Sequence, residues 1–240
     1  MKDTDYPLII AHRGASHDFY ENSFQAFSKA IEYNADMIEL DVHLTKDGYF
    51  VVHHDPTIKI DKDSYNISDT PLSVIEKLEL PNGEPIPLLE TVLERYLKDI
   101  MFNIEIKCPS THNKFDELLS GLNIDTSRII VSSFHRTIIH ELRETKHNYK
   151  LAFLYLFFGF GVHKMLKYDY IKAFNPYFKV LTKRTVNNLH EKKKEVYTWV
   201  VNRPKEVKRA LKLQVEGIIT DRPKEVREMV ENYLKLYSQL

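Results

Sequence analysis

Short runs of β-branched and aliphatic residues recur along this chain of 240 residues, and amphipathic stretches with helical periodicity separate them. Such alternation is typical of βα units, whose strands pair in parallel within one sheet. Eight runs in a chain of this length predict an α/β protein that forms a (β/α)8 (TIM) barrel. The predicted strands are Leu8–Ala11, Met37–Val42, Met101–Ile106, Arg128–Ser133, Leu151–Leu156, Ile171–Phe174, Glu195–Val200 and Gly217–Thr220.

The stretches between the strands carry apolar residues at the spacing of an amphipathic helix. A near-repeat supports this pattern, since Asn-Arg-Pro-Lys-Glu-Val at 202–207 returns as Asp-Arg-Pro-Lys-Glu-Val at 221–226. Each copy follows a predicted strand and places proline in the first turn of a helix. The clearest predicted helices are Ser23–Tyr33, Leu88–Leu97, Arg136–Thr145 and Val186–Lys194.

One stretch after the second strand breaks the alternation. Tyr49–His53 is typical of an additional short strand, and residues 55–87 contain several prolines, Gly83 and a single brief helical segment. We interpret residues 55–87 as an insertion that packs over the mouth of the barrel, the end where the strands finish. No linker or low-complexity tract follows, so residues 1–240 are predicted to form a single domain.

Composition narrows the class of partner and the compartment. Lys plus Arg equals Asp plus Glu at 34 each, so no field of one sign would attract nucleic acid or an anionic membrane. The single cysteine, Cys108, excludes an internal disulfide and suits a reducing compartment. The longest nearly apolar run, Leu151–Val162, is shorter than the roughly 20 residues of a membrane-spanning helix. We predict a cytoplasmic protein with a small-molecule substrate, no nucleic-acid partner and no transmembrane segment.

Carboxylates alternate with aliphatic residues in two predicted strands. Side chains in a strand point alternately to its two faces, so Glu39 and Asp41 share one face, and Glu105 takes the same position in the next strand. A carboxylate inside a barrel is costly unless it is paired or bound to a cation. Three carboxylate ligands favour a divalent cation, Mg²⁺ or Ca²⁺, over zinc. The alternative is that these groups pair with interior bases such as Lys107.

Histidines follow two other predicted strands. The first strand ends in His12-Arg13-Gly14, and the additional strand is followed by His54 and Asp55. Two histidines from separate strand ends can serve as general acid and general base near neutral pH. Arg13 suits bidentate contact with a phosphate. We interpret the remaining histidines as structural, although His43 and His53 lie close to these positions in sequence.

Eight short motifs follow one another along the chain. They are Ile10-Ala-His-Arg-Gly14, Glu21-Asn-Ser23, Ile38-Glu-Leu-Asp-Val42, Val52-His-His-Asp55, Ile104-Glu-Ile-Lys107, Val131-Ser-Ser-Phe134, Tyr197-Thr-Trp-Val-Val-Asn202 and Gly217-Ile-Ile-Thr-Asp221. Their order resembles that of the glycerophosphodiester phosphodiesterase family over nearly the whole chain. The resemblance implies a barrel enzyme that uses a divalent cation to hydrolyse glycerophosphodiesters to sn-glycerol 3-phosphate and an alcohol, in lipid and glycerol metabolism. By this resemblance the catalytic pair is His12 and His54, the metal ligands are Glu39, Asp41 and Glu105, the phosphate contacts are Arg13 and Lys107, and the aromatic residue beside the glycerol is Trp199.

The chain departs from the family pattern in two places. The usual Pro-Glu-Asn-Thr reads Tyr-Glu-Asn-Ser at 20–23, and the arginine and threonines that often follow the His-Asp pair are absent from residues 57–68. Because of these departures, the sequence does not determine which alcohol the substrate carries. A catalytically silent phosphate-binding module is the alternative outside enzymes, and a glycosidase using the carboxylates is an alternative within them. Trp199 has a purely structural alternative as a core residue.

An aromatic run follows the fifth predicted strand. Phe157, Phe158 and Phe160 alternate with glycines and are predicted to lie in the loop at the barrel mouth. Exposed aromatic residues there suggest an apolar ligand portion or a peripheral lipid contact, and with it activity of the lysophospholipase D type. The alternative is that the insertion covers them as a small separate core. The sequence leaves open the choice of cation, the acid and base roles of the histidines, metal ligation by His54 and the oligomeric state.

Overall fold

The structure is a computed structural model that describes residues 7–109 and 111–237. The remaining residues of the predicted domain, 1–6, 110 and 238–240, lie outside this description. The strands are β1 (Leu8–His12), β2 (Met37–Leu44), β3 (Phe50–Val52), β4 (Thr57–Ile60), β5 (Asp63–Asn66), β6 (Met101–Ile106), β7 (Ile129–Ser133), β8 (Lys150–Tyr155), β9 (Ile171–Pro176), β10 (Glu195–Thr198) and β11 (Gly217–Thr220). The helices are α1 (Phe24–Glu32), α2 (Leu72–Ile75), α3 (Leu89–Tyr96), α4 (His112–Leu122), α5 (Arg136–Glu141), α6 (Phe160–Met165), α7 (Lys183–Glu191), α8 (Pro204–Leu213) and α9 (Pro223–Tyr237).

Eight parallel strands close into a barrel in the order β1, β2, β6, β7, β8, β9, β10, β11, and β11 pairs again with β1. At least one helix lies between each barrel strand and the next in chain order, so the predicted (β/α)8 barrel is confirmed. Each of the eight predicted strands coincides with a barrel strand to within two residues at either end. The predicted additional strand is also confirmed, because β3 pairs antiparallel with β2.

The helix boundaries show where periodicity is sufficient and where it is not. The predicted first two helices differ from α1 and α3 by one residue at each end. The predicted helix Val186–Lys194 is three residues late at each end, because α7 begins at Lys183 and ends at Glu191. Thr182 caps that helix by accepting from the backbone N–H of Thr185, so the helix begins before its first apolar residue.

Apolar side chains from the outer faces of the strands form the core beneath the helices. Ile38, Leu40 and Val42 of β2 pack there with Phe27 of α1 and Phe115 of α4. The opposite face of β2 therefore turns its carboxylates into the barrel, as the alternation predicts. The lower interior is closed by an apolar group of Ile10, Met37, Ile130, Ala152, Ala173, Tyr197 and Ile219.

The insertion after β3 has its own small core. Strands β4 and β5 form an antiparallel hairpin, and a 3₁₀ turn and α2 follow it. The sequence pattern does not predict the hairpin, because its strands are four residues long and Asp61, rather than glycine, adopts the left-handed conformation in its turn. The core of the insertion consists of Ile58, Ile67, Ile75, Leu80 and Ile86, which cluster with Val51 of β3.

In the described part of the chain, none of the helices combines the length and the apolarity that crossing a membrane requires.

Candidate active site

The end of β1 carries His12 and Arg13 into the barrel mouth through a sharp turn. Arg13 and Gly14 have φ values of 56° and 84°. A Cβ at Gly14 would lie 2.7 Å from a backbone carbon of Ala26 in α1, so only glycine fits at this close approach. The turn is fixed by the backbone N–H of Arg13, which donates to the carbonyl of Glu39 at 2.8 Å.

Three buried carboxylates meet in the upper barrel. Glu39 and Asp41 come from β2 and Glu105 from β6, and β2 and β6 pair so that Asp41 lies opposite Glu105. One oxygen of each group lies within 4.8 Å of the others. The structure therefore brings together the three residues predicted as metal ligands. Carboxylate oxygens are typical ligands of Mg²⁺ and Ca²⁺.

Two bases neutralise part of this cluster. Lys107 Nζ lies 2.9 Å from Asp41 Oδ1 and 2.8 Å from Glu105 Oε1, and Arg13 Nε lies 3.0 Å from Asp41 Oδ2. The alternative of interior ion pairs thus applies to Asp41 and Glu105. Glu39 differs, because among the described residues its one ion pair within 4.0 Å is to His12. Negative charge remains that the two bases do not pair.

The pKa shifts of the three carboxylates reflect this surplus of negative charge. Burial and the neighbouring charge of Asp41 raise the pKa of Glu39 to about 8. Burial also raises the pKa of Glu105. The pKa of Asp41 is lowered, because Lys107 and Arg13 together outweigh its burial. A buried carboxylate that favours its neutral form beside two others is the environment that a divalent cation relieves.

His12 is held by a carboxylate that the sequence interpretation missed. Its Nδ1–H donates to Asp221 Oδ1 at 2.6 Å, and Asp221 in turn accepts from Asn202 Nδ2 at 2.6 Å and from Ser16 Oγ at 3.3 Å. Burial alone would lower the pKa of His12, but the hydrogen bond to Asp221 and the charge of Glu39 raise it. Asp221 ends a recognised motif, and its position directly after a barrel strand was the available signal.

His54 lies in the loop after β3 and is more exposed than His12. Its ring contacts Asp55 Oδ1 at 2.8 Å, and its backbone carbonyl accepts from His43 Nε2 at 3.0 Å. Burial and the charge of Arg13 lower its pKa. His43 therefore supports the loop that carries His54, and the His53 ring contacts the carbonyl of Asp55 at 2.8 Å.

A cavity of about 120 Å³ joins these groups. Trp199 forms part of its wall, donates its indole N–H to the Asn175 carbonyl at 2.8 Å and packs edge-on against Phe134 at 5.6 Å. It is thus anchored by the barrel and also faces the cavity. The lining residues are His12, Arg13, Glu39, His54, Asn103, Glu105, Lys107, Phe134, Leu154, Trp199 and Ile219. Asn103, Phe134, Leu154 and Ile219 had no predicted role.

The aromatic run after β8 is only partly covered. The exposed fractions of Phe157 and Phe160 are 75% and 86%. Phe158 packs against Tyr155 and His163, with ring centroids 6.0 Å and 4.9 Å away. None of the three aromatic residues belongs to the described core of the insertion, so the alternative that the insertion covers them is wrong. The two exposed residues differ in position, because Phe157 lies in the loop, as predicted, whereas Phe160 is the first residue of α6.

The fold and the site together define a barrel enzyme of the phosphoric diester hydrolase class. The model of the glycerophosphoryl diester phosphodiesterase family matches residues 12–225. The chain is 33% identical to a glycerophosphodiester phosphodiesterase of Caldanaerobacter subterraneus subsp. tengcongensis, over 93% of this chain and 97% of that protein. The chain therefore belongs to the glycerophosphoryl diester phosphodiesterase family.

Solved structures agree on the fold. A glycerophosphodiester phosphodiesterase from Parabacteroides distasonis superimposes with a TM-score of 0.84 at 24% identity, covering 96% of this chain and 99% of that one. An Oleispira antarctica phosphodiesterase, solved in complex with the product sn-glycerol-3-phosphate, gives 0.79 at 18% identity, with 94% and 97% covered. The family, the enzyme class and the fold predicted from sequence are thus confirmed.

Proposed function

We propose that this chain hydrolyses glycerophosphodiesters to sn-glycerol 3-phosphate and an alcohol in a reaction that depends on a divalent cation. The observation that carries the proposal is that His12, His54, Arg13 and Lys107 line the same cavity as Glu39 and Glu105. Family membership supports it, and so does the product bound to the structurally similar Oleispira antarctica enzyme. The chain has both histidines and all three carboxylates that the family pattern requires, which disfavours a silent phosphate-binding module.

Glu39, Asp41 and Glu105 would hold the cation, Mg²⁺ or Ca²⁺. When bound, such an ion neutralises charge that develops on the oxygens of the phosphate. Arg13 and Lys107 contribute positive charge at the same place. Their own ion pairs with the cluster fix both side chains before substrate arrives, which favours catalysis because little reorganisation is needed.

The two histidines would move the protons. The nucleophile in this proposal is the 2-hydroxyl of the glycerol, which attacks the phosphorus while the bond to the alcohol breaks. One histidine accepts the hydroxyl proton, and the other donates a proton to the departing alkoxide. Water then opens the resulting cyclic phosphate with the roles reversed. A diester that has no neighbouring hydroxyl is expected to react poorly.

The test is release of sn-glycerol 3-phosphate from a panel of glycerophosphodiesters, measured with Mg²⁺, with Ca²⁺ and with a chelator. We expect turnover that needs the cation and that returns when the chelator is saturated. A bis(aryl) phosphodiester serves as the control substrate without a neighbouring hydroxyl. Release that is equally fast with and without chelator would contradict the cation dependence, and no release from any member of the panel would contradict the activity.

Activity of the lysophospholipase D type is a second candidate, favoured by one observation. Phe157 in the loop after β8 and Phe160 at the start of α6 are exposed and follow the strand end that faces the barrel mouth. Apolar side chains at an active-site rim suit an acyl chain or a peripheral lipid contact.

The predicted cytoplasmic location and the single domain over residues 1–240 stay predictions.

A further inference from the structure

Polar side chains inside the barrel remain without hydrogen-bond partners next to the acidic cluster. Asn103 on β6 and Ser132 on β7 are 1% and 0% exposed. Neither the two polar atoms of the Asn103 amide nor Ser132 Oγ has a hydrogen-bond partner among the described residues. Burying such groups without a hydrogen-bond partner is unfavourable, so we expect them to bind water or a ligand in the native protein.

Their positions point to the cluster itself. Asn103 is the register partner of Glu39 on the neighbouring strand, and it lies two residues before Glu105 on the same face of β6. Ser132 is the register partner of Glu105 on the other side. Asn103 also lines the cavity, together with Glu39 and Glu105. Each unpaired group therefore adjoins a carboxylate that would bind the cation.

The chemistry of the cation gives these groups a function. Three carboxylates do not complete the six to eight oxygen ligands of Ca²⁺, and Mg²⁺ usually keeps several waters. Groups that hydrogen-bond to ligands or to bound water commonly set the affinity of such a site. We propose that Asn103 and Ser132 form an outer shell of the cation site and hold its water through Asn103 Oδ1 and Ser132 Oγ. This inference rests on the cation dependence of the proposed function.

Asn175 supplies a matched control. It is also a buried asparagine on a barrel strand, β9, and both polar atoms of its amide lack a hydrogen-bond partner among the described residues. It does not line the cavity that contains the carboxylates. Replacing either asparagine by leucine removes an unpaired buried amide, but only Asn103→Leu should alter cation binding.

The experiment is calorimetric titration of Ca²⁺ and of Mg²⁺ into the full chain, as wild type and as Asn103→Leu, Ser132→Ala and Asn175→Leu. Loss of an outer-shell group typically weakens binding about 10- to 100-fold, and we expect Asn103→Leu to fall in that range. Ser132→Ala should show a smaller loss, because Ser132 adjoins only one carboxylate. Asn175→Leu should bind like wild type.

Thermal unfolding keeps the test decisive if Asn103→Leu folds poorly. Asn103→Asp retains an oxygen acceptor and adds a buried charge, so without cation its melting temperature should fall below that of wild type. Saturating Ca²⁺ should then raise it by more than it raises wild type. Wild-type affinity for the cation in both Asn103→Leu and Ser132→Ala would overturn the proposed outer shell but not the cation-dependent function. The same would follow if Ca²⁺ raised the melting temperature of Asn103→Asp no more than that of wild type. A wild type that binds neither ion would overturn the cation-dependent function together with the outer shell.

Discussion

His12 and His54 have opposite electrostatic surroundings. Burial opposes the charge on His12, but the hydrogen bond to Asp221 and the charge of Glu39 outweigh it and raise the pKa of the imidazole. That hydrogen bond lies on Nδ1, away from the nitrogen nearest to Glu39. His54 is affected in the other direction, because burial and Arg13 lower its pKa. We therefore propose that near neutral pH His54 accepts a proton and His12 donates one.

This difference predicts a bell-shaped pH profile of kcat/KM. The acidic limb should lie at a pH below the ordinary histidine pKa, because activity is lost there as His54 gains a proton. The alkaline limb should lie at a pH above that value, because activity is lost there as His12 loses its proton. Asp221→Asn removes the charge that holds the His12 proton, so the alkaline limb should move to lower pH. The acidic limb should stay in place. A shift of the acidic limb alone in Asp221→Asn would contradict this order of the two groups.

Removal of either imidazole gives a simpler test of the same residues. His12→Ala and His54→Ala should each lower turnover by about 10² to 10⁴, the usual contribution of a general acid or base. The melting temperature should change little for His54→Ala, because that side chain lies at the exposed end of the cavity. His17→Ala, which changes a histidine outside the cavity lining, is the matched control. A variant that keeps more than about a tenth of wild-type turnover would exclude that histidine from proton transfer.

The sequence could predict most, but not all, of these residues. A histidine, an arginine or a carboxylate at a strand end is visible as a residue type in an alternating pattern, and that pattern indicates His12 and Glu39. Asp221 was missed because its hydrogen-bond partners, His12 and Asn202, approach it only after the barrel closes. Asn103 was missed because an unpaired buried amide is a property of the folded interior.

At the scale of elements, turns and caps decide what periodicity cannot. The apolar pattern predicts the bounds of α1 and α3, but it places α7 three residues late because a capping threonine starts that helix. The insertion hairpin is too short to show an alternating pattern. The turn between β1 and α1 is different, since Gly14 combines a positive φ with a backbone neighbour that no side chain can approach.

Gly14→Ala should destabilise the fold more than a positive φ alone would. Gly83→Ala is the matched control, since Gly83 has nearly the same φ but a methyl group there would meet no atom within 4 Å. We expect about 1 to 2 kcal/mol for Gly83→Ala, the cost of the left-handed conformation for alanine. Gly14→Ala should lose more free energy of unfolding, because its Cβ would meet Ala26. Urea unfolding of both variants measures the difference, and equal losses would show that the contact with α1 is relaxed at no cost.

The two exposed aromatic residues after β8, Phe157 in the loop and Phe160 at the start of α6, offer a functional test. The double variant Phe157→Ser and Phe160→Ser should lower turnover of a lysophospholipid while glycerophosphocholine turnover is preserved, because both rings are exposed. Phe158→Ser is the control, since Phe158 packs on Tyr155 and its loss should lower the melting temperature and both activities together. Equal losses on the two substrates in the double variant would restrict these rings to a structural role.

At the scale of the whole molecule, the closed barrel converts distant sequence positions into one site. The sequence shows eight strands in order, but the pairing of β11 with β1 places Asp221 beside His12 across 209 positions of the chain. The same closure sets β2 beside both β1 and β6, so His12, Glu39 and Glu105 come from three adjacent strands. Alternation predicts which face each side chain takes, whereas the register between strands decides which of them meet.

The final prediction follows from this convergence, because the proposed cation, bound by carboxylates of both β2 and β6, would bind only the folded chain in which these two strands are paired. Ligand at 100 times its Kd stabilises the native state by about 2.7 kcal/mol, which in a chain of this size corresponds to a rise in Tm of roughly 5 to 10 °C. Glu39→Gln should reduce that rise, since Glu39 is the carboxylate with the least pairing to Lys or Arg. Scanning calorimetry with MgCl₂ or CaCl₂ against a chelator measures it, with NaCl at equal ionic strength as the control. The formal net charge is zero, so general screening by salt should be small. An equal rise with NaCl, or an undiminished rise in Glu39→Gln, would place the stabilising ion outside the carboxylate cluster.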